Sequence, residues 1–344
     1  MNEPTNSMPD INRKVTIAFA AALVIAVLAT IALLMPVPSR GRMFPAIGDM
    51  VHAPMFAGLT IGMFFGLQIL LPTSSIKTIR TRAVVVGFLV LVFGVASEIV
   101  QDFFGRSGNL HDAVSDALGI SGALCVIVAW TLHRPTVAAR STWASKPFCW
   151  ALVVTGILMI GLSWISPVAT IHDTLASRRE FPLLASFERQ AELERWHFRD
   201  CSGSLSTQDA TLGAQSLEIK FPASQAGNAT LFEIKRDWSN AQSLMLEVAV
   251  DEKRSCDVNA FVLQIVDQSH GREYRDVFRK EVLIKRGEKQ TITIPRQQWI
   301  SRKSDRPLQL EWIRAINLII TEPSEETVVR VDDIRLSLGE QSKG

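Results

Sequence analysis

The stretch Val15–Met35 runs for 21 residues without a charge, enough helix to cross about 30 Å of hydrocarbon. Further apolar runs follow at Val51–Leu71, Ala83–Phe104, Ala113–Leu132 and Phe148–Ile165. Such runs leave few options, because a chain in lipid must satisfy its backbone internally, and helices do so. The first run is longer than the apolar core of a signal peptide and is followed by others, so it reads as a retained span. The expectation is an α-helical transmembrane bundle of five spans over residues 15–168, preceded by a cytoplasmic tail at residues 1–14.

Lys and Arg near the span ends set the orientation. Arg13 and Lys14 precede the first run, Lys77, Arg80 and Arg82 separate the second from the third, and Arg134, Arg140 and Lys146, with His133, separate the fourth from the fifth. These segments are expected on the cytoplasmic side; Arg40 and Arg42 oppose the bias without reversing it. Everything after Ile165 then lies outside the cytoplasm, as in an integral protein of a bacterial cytoplasmic membrane. The loops Pro36–Met50 and Phe103–His111 share that outer side.

One polar hairpin interrupts the apolar half, reading EIVQDFFGRSGNLHDAVSDALG from Glu98 to Gly119. At about 100° per residue, Gly87, Gly94, Glu98 and Gln101 share one side of the third span, and Asp112, Asp116, Gly119 and Ala123 share one side of the fourth. Small residues let membrane helices approach closely, so both faces should turn toward other helices. Glu98 and Asp116 would then meet at the outer boundary. Asp49 and His52 begin the second span at the same level, where Asp49 also fits a helix cap, and Gly58, Gly62 and Gly66 along that span suggest a packing seam.

Two carboxyl groups and a histidine in one place are the ingredients of general acid–base catalysis, and the same donors would suit a divalent cation. Glu98, Asp116 and His52 are therefore the candidate reactive or ion-holding residues. Asp49, Gln101, Arg106 and Asp112 are the candidate ligand contacts, Arg106 as an anchor for phosphate or carboxylate. A hydrogen-bonded lock between helices explains the cluster equally well at this level. Ser97, Ser107 and Ser115 lie nearby, but there is no GxSxG elbow, phosphate-cradling glycine loop, zinc-like Cys/His spacing or dinucleotide signature. A formal net charge of +2 over 344 residues gives no reason to expect nucleic acid.

The second half is soluble in character. After a polar segment at 169–186, expected as a linker, short β-like runs occur at Ser216–Phe221, Thr230–Lys235, Ser243–Val250, Phe261–Asp267, Val277–Ile284, Thr291–Ile294, Ala315–Ile320 and Thr327–Leu338. Several alternate, as in Leu244, Leu246, Val248 and Val250 against Met245, Glu247 and Ala249. About eight strands without a convincing long helix predict an all-β antiparallel sandwich over residues 187–338, with a short tail at 339–344. Trp196, Trp238, Tyr274, Trp299 and Trp312 are either core residues or sugar-stacking faces. Asp332 and Asp333 read as a solvated strand end, with a structural cation as the alternative. Cys201 and Cys256 share the exported half, where pairing is permitted but not required.

Two resemblances follow from these residues. Asp49 with His52, Glu98-x-x-Gln101, Gly105-Arg106, and Asp112 leading to Gly119 resemble, in order and spacing over Val15–Leu132, the VanZ-like membrane family. Met50 departs from the frequent Lys of that pattern, and Asp116 from its usual Asn. Phe187-Glu188, DWSNAQSLMLEV at Asp237–Val248, TIP before Trp299, and VDDIRL at Val331–Leu336 resemble the galactose-binding-like jelly rolls found in many carbohydrate-binding modules. Together they imply a cell-envelope protein whose bundle offers an outward-facing polar pocket to a lipid-linked or glycan ligand. The family's link to glycopeptide-antibiotic resistance implies a role there or in envelope glycan processing. Whether the pocket is catalytic stays open. The alternative is a non-enzymatic anchor that presents the sandwich.

Overall fold

The computed structural model describes residues 41–103, 110–134, 145–251, 258–268, 276–321 and 323–339. They form two compact units, dividing at Val168 and Ala169. The apolar run Val15–Met35 lies outside the described residues.

The first unit contains α1 (Met43–Leu70), α2 (Ile76–Phe103), α3 (Leu110–Leu132) and α4 (Lys146–Ser163). All four are long and apolar enough to cross a membrane. Their outward faces carry Val84, Phe88, Trp150 and Ile157, each more than 60% exposed, an arrangement suited to lipid rather than water.

All four helices begin earlier than the apolar runs suggested, α1 and α2 by the most. Helix α1 starts at Met43 because Pro45 sits in its first turn, where a missing N–H costs nothing. Asp49 therefore lies within the helix and does not cap it. Farther along, Pro54 cannot donate to the Met50 carbonyl one turn back. The Trp164 indole N–H takes that carbonyl instead, at 2.9 Å.

Close approach between α1 and α3 depends on Gly119, since a Cβ there would lie 2.1 Å from the Ala53 carbonyl oxygen. Gly58, Gly62 and Gly66 behave differently from the packing seam expected of them. No described atom lies within 4 Å of a Cβ built on any of the three.

Helix α5 (Ile165–Glu180) starts four residues before the division, and its final turns, in the second unit, are followed by β1 (Leu183–Ala185). The segment expected as a tether is thus largely helical. Arg178, Arg179 and Glu180 at its end are exposed, but Asp173, fully buried, accepts from Arg189 Nε at 2.9 Å and faces Arg195 Nε at 3.5 Å. Glu192, also fully buried, pairs with both arginines and accepts the backbone N–H groups of Ser186 and Phe187. Thr170 donates to Glu194 at 2.6 Å. Of the charged residues in that segment, buried Asp173 fixes the helix and Glu180 adds a pair with Arg189.

Then come β2 (Trp196–Arg199), β3 (Ser202–Ser206), β4 (Ser216–Phe221), β5 (Gly227–Leu231), β6 (Ala241–Val250), β7 (Val258–Asp267), β8 (Phe278–Ile284), β9 (Lys289–Pro295), β10 (Ile313–Ile320) and β11 (Thr327–Leu338). They make a β-sandwich of two antiparallel sheets. One has the order β3-β4-β11-β6-β9, with β1 also paired to β11; the other is β2-β5-β10-β7-β8.

Leu244, Leu246, Val248 and Val250 all point into the core, as their period of two requires. Trp238 and Trp299 fill its centre, with ring centroids 5.8 Å apart, and Trp196 is also buried. Those three indoles are therefore core residues. Trp312 is 49% exposed, and Tyr274 lies outside the described residues.

Candidate functional site

Three helices of the first unit each bring one polar side chain to a common point: His52 from α1, Glu98 from α2 and Asp116 from α3. One nitrogen or carboxylate oxygen from each lies within 4.8 Å of the others. His52 Nδ1 is 3.0 Å from Asp116 Oδ1. Both residues are buried, at 3% and 1% exposure.

Local packing explains why they meet. The Gly119–Ala53 contact draws α1 and α3 together next to His52 and one turn from Asp116. Gly94, one turn before Glu98 on α2, leaves room for the carboxylate, since a Cβ there would come within 3.1 Å of Asp116 Oδ2 and of the Phe56 ring. Phe56, fully buried, stacks beneath the His52 imidazole at 6.5 Å between centroids and 14° between planes. The polar atoms rest on an apolar floor.

With Nδ1 as donor to Asp116, the remaining ring nitrogen of His52 keeps a lone pair for a proton or a cation. Asp116 Oδ2 has no hydrogen-bond partner among the described residues. Asp112, one turn before Asp116 on the same face of α3, is 5% exposed, and its Oδ1 likewise has none among them. Ser115 is buried beside them, and the Ser97 hydroxyl donates to the Gly94 carbonyl at 2.7 Å.

The remaining candidates are Asp49, Gln101 and Arg106. Asp49 lies one turn before His52 and is partly exposed. Gln101 is placed in the last turn of α2, and Arg106 lies outside the described residues.

A second polar site, which the sequence reading missed, is a cleft of about 570 Å³ on the sandwich, lined by Ser206, Gln208, Asp209, Glu218, Lys220 and Arg330 among others. Arg330 organises it, binding Asp209 at 3.0 Å, Glu218 at 3.0 Å and Asp251 at 2.8 Å. Burial works against the guanidinium charge, but hydrogen bonds to these three carboxylates outweigh it and raise the Arg330 pKa. A signal was present in β11, where Arg330 and Asp332 alternate with the core residues Val329 and Val331.

Asp332 and Asp333 are 1% and 8% exposed, so they do not form a solvated strand end. A bulge between Asp332 and Arg335 turns the chain, and Asp333 takes a positive φ of 50°. Asp332 Oδ2 accepts the Thr211 and Leu212 N–H groups, at 2.5 and 2.8 Å, fixing the loop that carries Asp209. Burial raises the Asp332 pKa, with these hydrogen bonds and one from the Asp333 N–H acting against the rise. Asp333 pairs with Arg335. Cys201 is a free thiol, raised in pKa by burial, and Cys256 lies outside the described residues.

No protein-family model and no curated protein matches this chain. Among solved structures it is similar to a family 11 carbohydrate-binding module of a cellulosomal cellulase of Clostridium thermocellum. That alignment has 14% identity and a TM-score of 0.38, over 47% of this chain and 96% of that one. A family 11 module from the same organism, in complex with a β-1,3-1,4-mixed-linked tetrasaccharide, aligns with 15% identity and a TM-score of 0.37, over 45% and 93%. A family 30 module of a Clostridium thermocellum cellulase aligns with 14% identity and a TM-score of 0.33, over 41% and 84%. At these TM-scores the likenesses add nothing to the fold that the strand pairing establishes. The VanZ-like resemblance of the helical half gains no support from any of these comparisons.

Proposed function

We propose that the chain is a VanZ-like integral membrane protein of the cell envelope whose helical bundle holds a polar pocket for a lipid-linked saccharide or envelope glycan. In this reading the bundle has five spans, the N-terminus is cytoplasmic, and the sandwich is an extracytoplasmic, galactose-binding-like jelly roll. The observation that carries it is the convergence of His52, Glu98 and Asp116 from three apolar helices. Ionisable groups at membrane depth are costly to insert, by about 3 kcal/mol for a central charge. They persist there where they serve a ligand, a proton or each other.

The sandwich contributes saccharide recognition through its polar cleft. Asp209, Glu218, Lys220 and Arg330 offer the charged donors and acceptors that hydroxyl-rich ligands need. The cleft supports this reading, not the likeness to other modules. The downstream role is envelope glycan processing or resistance to glycopeptide antibiotics.

The test is binding of a polyprenyl-phosphate-linked oligosaccharide to the full chain in detergent micelles. Wild type should bind, and Glu98→Gln and Asp116→Asn should weaken binding while leaving the protein monodisperse. Equal binding by wild type and variants, or none by wild type, would rule out the pocket.

One observation favours a second reading, a non-enzymatic anchor that presents the sandwich. The His52–Asp116 contact and the Gly119–Ala53 approach tie α1 to α3, which is what a purely structural lock would do. Under that reading the variants lose folded protein and nothing else.

A further inference from the structure

We infer that His52, Glu98 and Asp116 form a site for one divalent transition-metal cation of the zinc class. The inference rests on the reading of this trio as a functional pocket and names what occupies it. Two donors on one zinc ion, each at about 2.0–2.2 Å, lie no more than about 4.4 Å apart. Donor atoms within 4.8 Å of one another reach that spacing by small side-chain rotations.

Asp116 separates this arrangement from a closed ion pair. Its Oδ1 is engaged by His52 Nδ1, while Oδ2 has no hydrogen-bond partner among the described residues although the side chain is 1% exposed. That oxygen is directed at α2, 3.1 Å from where a Gly94 Cβ would lie, one turn before Glu98. A lock between helices would satisfy both oxygens, because a buried acceptor left unmade is costly. A dication beside Oδ2 supplies the missing partner and offsets the negative charge that Asp112 adds one turn away.

The donor set selects the metal. One imidazole nitrogen with two carboxylates suits zinc or manganese better than calcium or magnesium, which favour shells of six or more oxygens. Three protein donors leave a coordination position open, as in zinc sites that act on a bound ligand and unlike closed structural ones.

The experiment uses the full chain purified in detergent with a histidine-free tag, stripped with chelator and dialysed against zinc. Metal content is read by mass spectrometry, and a parallel cobalt-loaded sample is read by visible absorption. One zinc per chain is expected for wild type. Outer-shell partners alone are worth about 10–100-fold in affinity, so His52→Gln, Glu98→Gln and Asp116→Asn should each weaken binding by at least about 10-fold.

Wild type that retains no zinc above a blank overturns the inference, and so does zinc retained in full by the three variants. Where a variant fails to fold, the wild-type cobalt spectrum decides. Intense bands of low-coordinate cobalt support the site, and the pale spectrum of the aquo ion alone overturns it. Saccharide binding by metal-free wild type that takes up no zinc leaves the proposed function standing and removes the metal. Zinc uptake without saccharide binding does the reverse.

Discussion

His52 and Asp116, 64 positions apart in the chain, are joined across two apolar helices by a 3.0 Å contact between Nδ1 and Oδ1. That contact exists because the backbones of α1 and α3 touch at Ala53 and Gly119, the residues next to His52 and one turn from Asp116.

Gly119→Leu is accordingly expected to force α1 and α3 apart, because even its Cβ would overlap the Ala53 carbonyl. Overpacking of this kind costs about 1–3 kcal/mol or more. Gly62→Leu, placed where no described atom lies within 4 Å, should be tolerated. Thermal unfolding of the two variants in the same detergent should show a large drop in midpoint for the first and little change for the second.

Trp164 and Pro54 should be energetically coupled through the Met50 carbonyl. Trp164→Phe removes the N–H that replaces the missing proline donor at this carbonyl, while Pro54→Ala restores the helical one. The double variant should therefore lose less stability than the sum of the single ones. The coupling expected is about 0.5–1.5 kcal/mol, the net worth of one hydrogen bond, and a double-mutant cycle measures it. Strict additivity would mean that the indole does not act on the carbonyl.

Little of the helical site needed structure to be seen. Glu98 and Asp116 stood out because each shares a helical face with glycines, and that pattern survives in the contacts of Gly94 and Gly119. Asp49 misled, since it resembles a cap only if the helix starts at Val51, and the apolar Met43–Ala46 segment with Pro45 moves the start back by two turns. The sandwich strands Ser216–Phe221 and Thr327–Leu338 are found at the bounds read from the sequence. The short strands Trp196–Arg199 and Ser202–Ser206 were missed because four or five mixed residues carry no usable period. The polar cleft was missed because Arg330, Glu218, Asp209 and Asp251 come from distant segments, and pairing of β11 with both β4 and β6 is needed to bring them together.

Acid should act on the sandwich through Asp276. A hydrogen bond from Ser301 above all, opposed by desolvation and aided by Ser304 and Arg306, holds its carboxyl below the usual carboxylate range. A folded pKa below the unfolded one gives stability that is present above the unfolded value and is lost as pH falls through the folded value. The loss should therefore develop below about pH 4. Asp276→Asn should flatten that part of the profile, measured by tryptophan fluorescence during acid titration; an unchanged slope would remove Asp276 from the acid response.

Asp173→Asn should loosen α5 without unfolding the strands. It removes a buried carboxylate that faces both Arg189 and Arg195, leaving Glu192 and Glu180 to hold them. Breaking a buried ion pair from one side costs about 3–5 kcal/mol, which the network reduces by sharing. Amide hydrogen exchange in residues 169–180 should quicken, with exchange in β6 and β11 unchanged. Uniform protection in both regions would show that α5 is held by other means.

The buried charges around Asp173 also decide how force travels. A hinge of solvated residues would let this helix move freely against the strands and would absorb any pull on them. With Asp173, Glu192 and Arg195 clamped at its base, α5 must turn as one piece with the strands. Tugging at the cleft then arrives at the helix as torque, undiminished by slack.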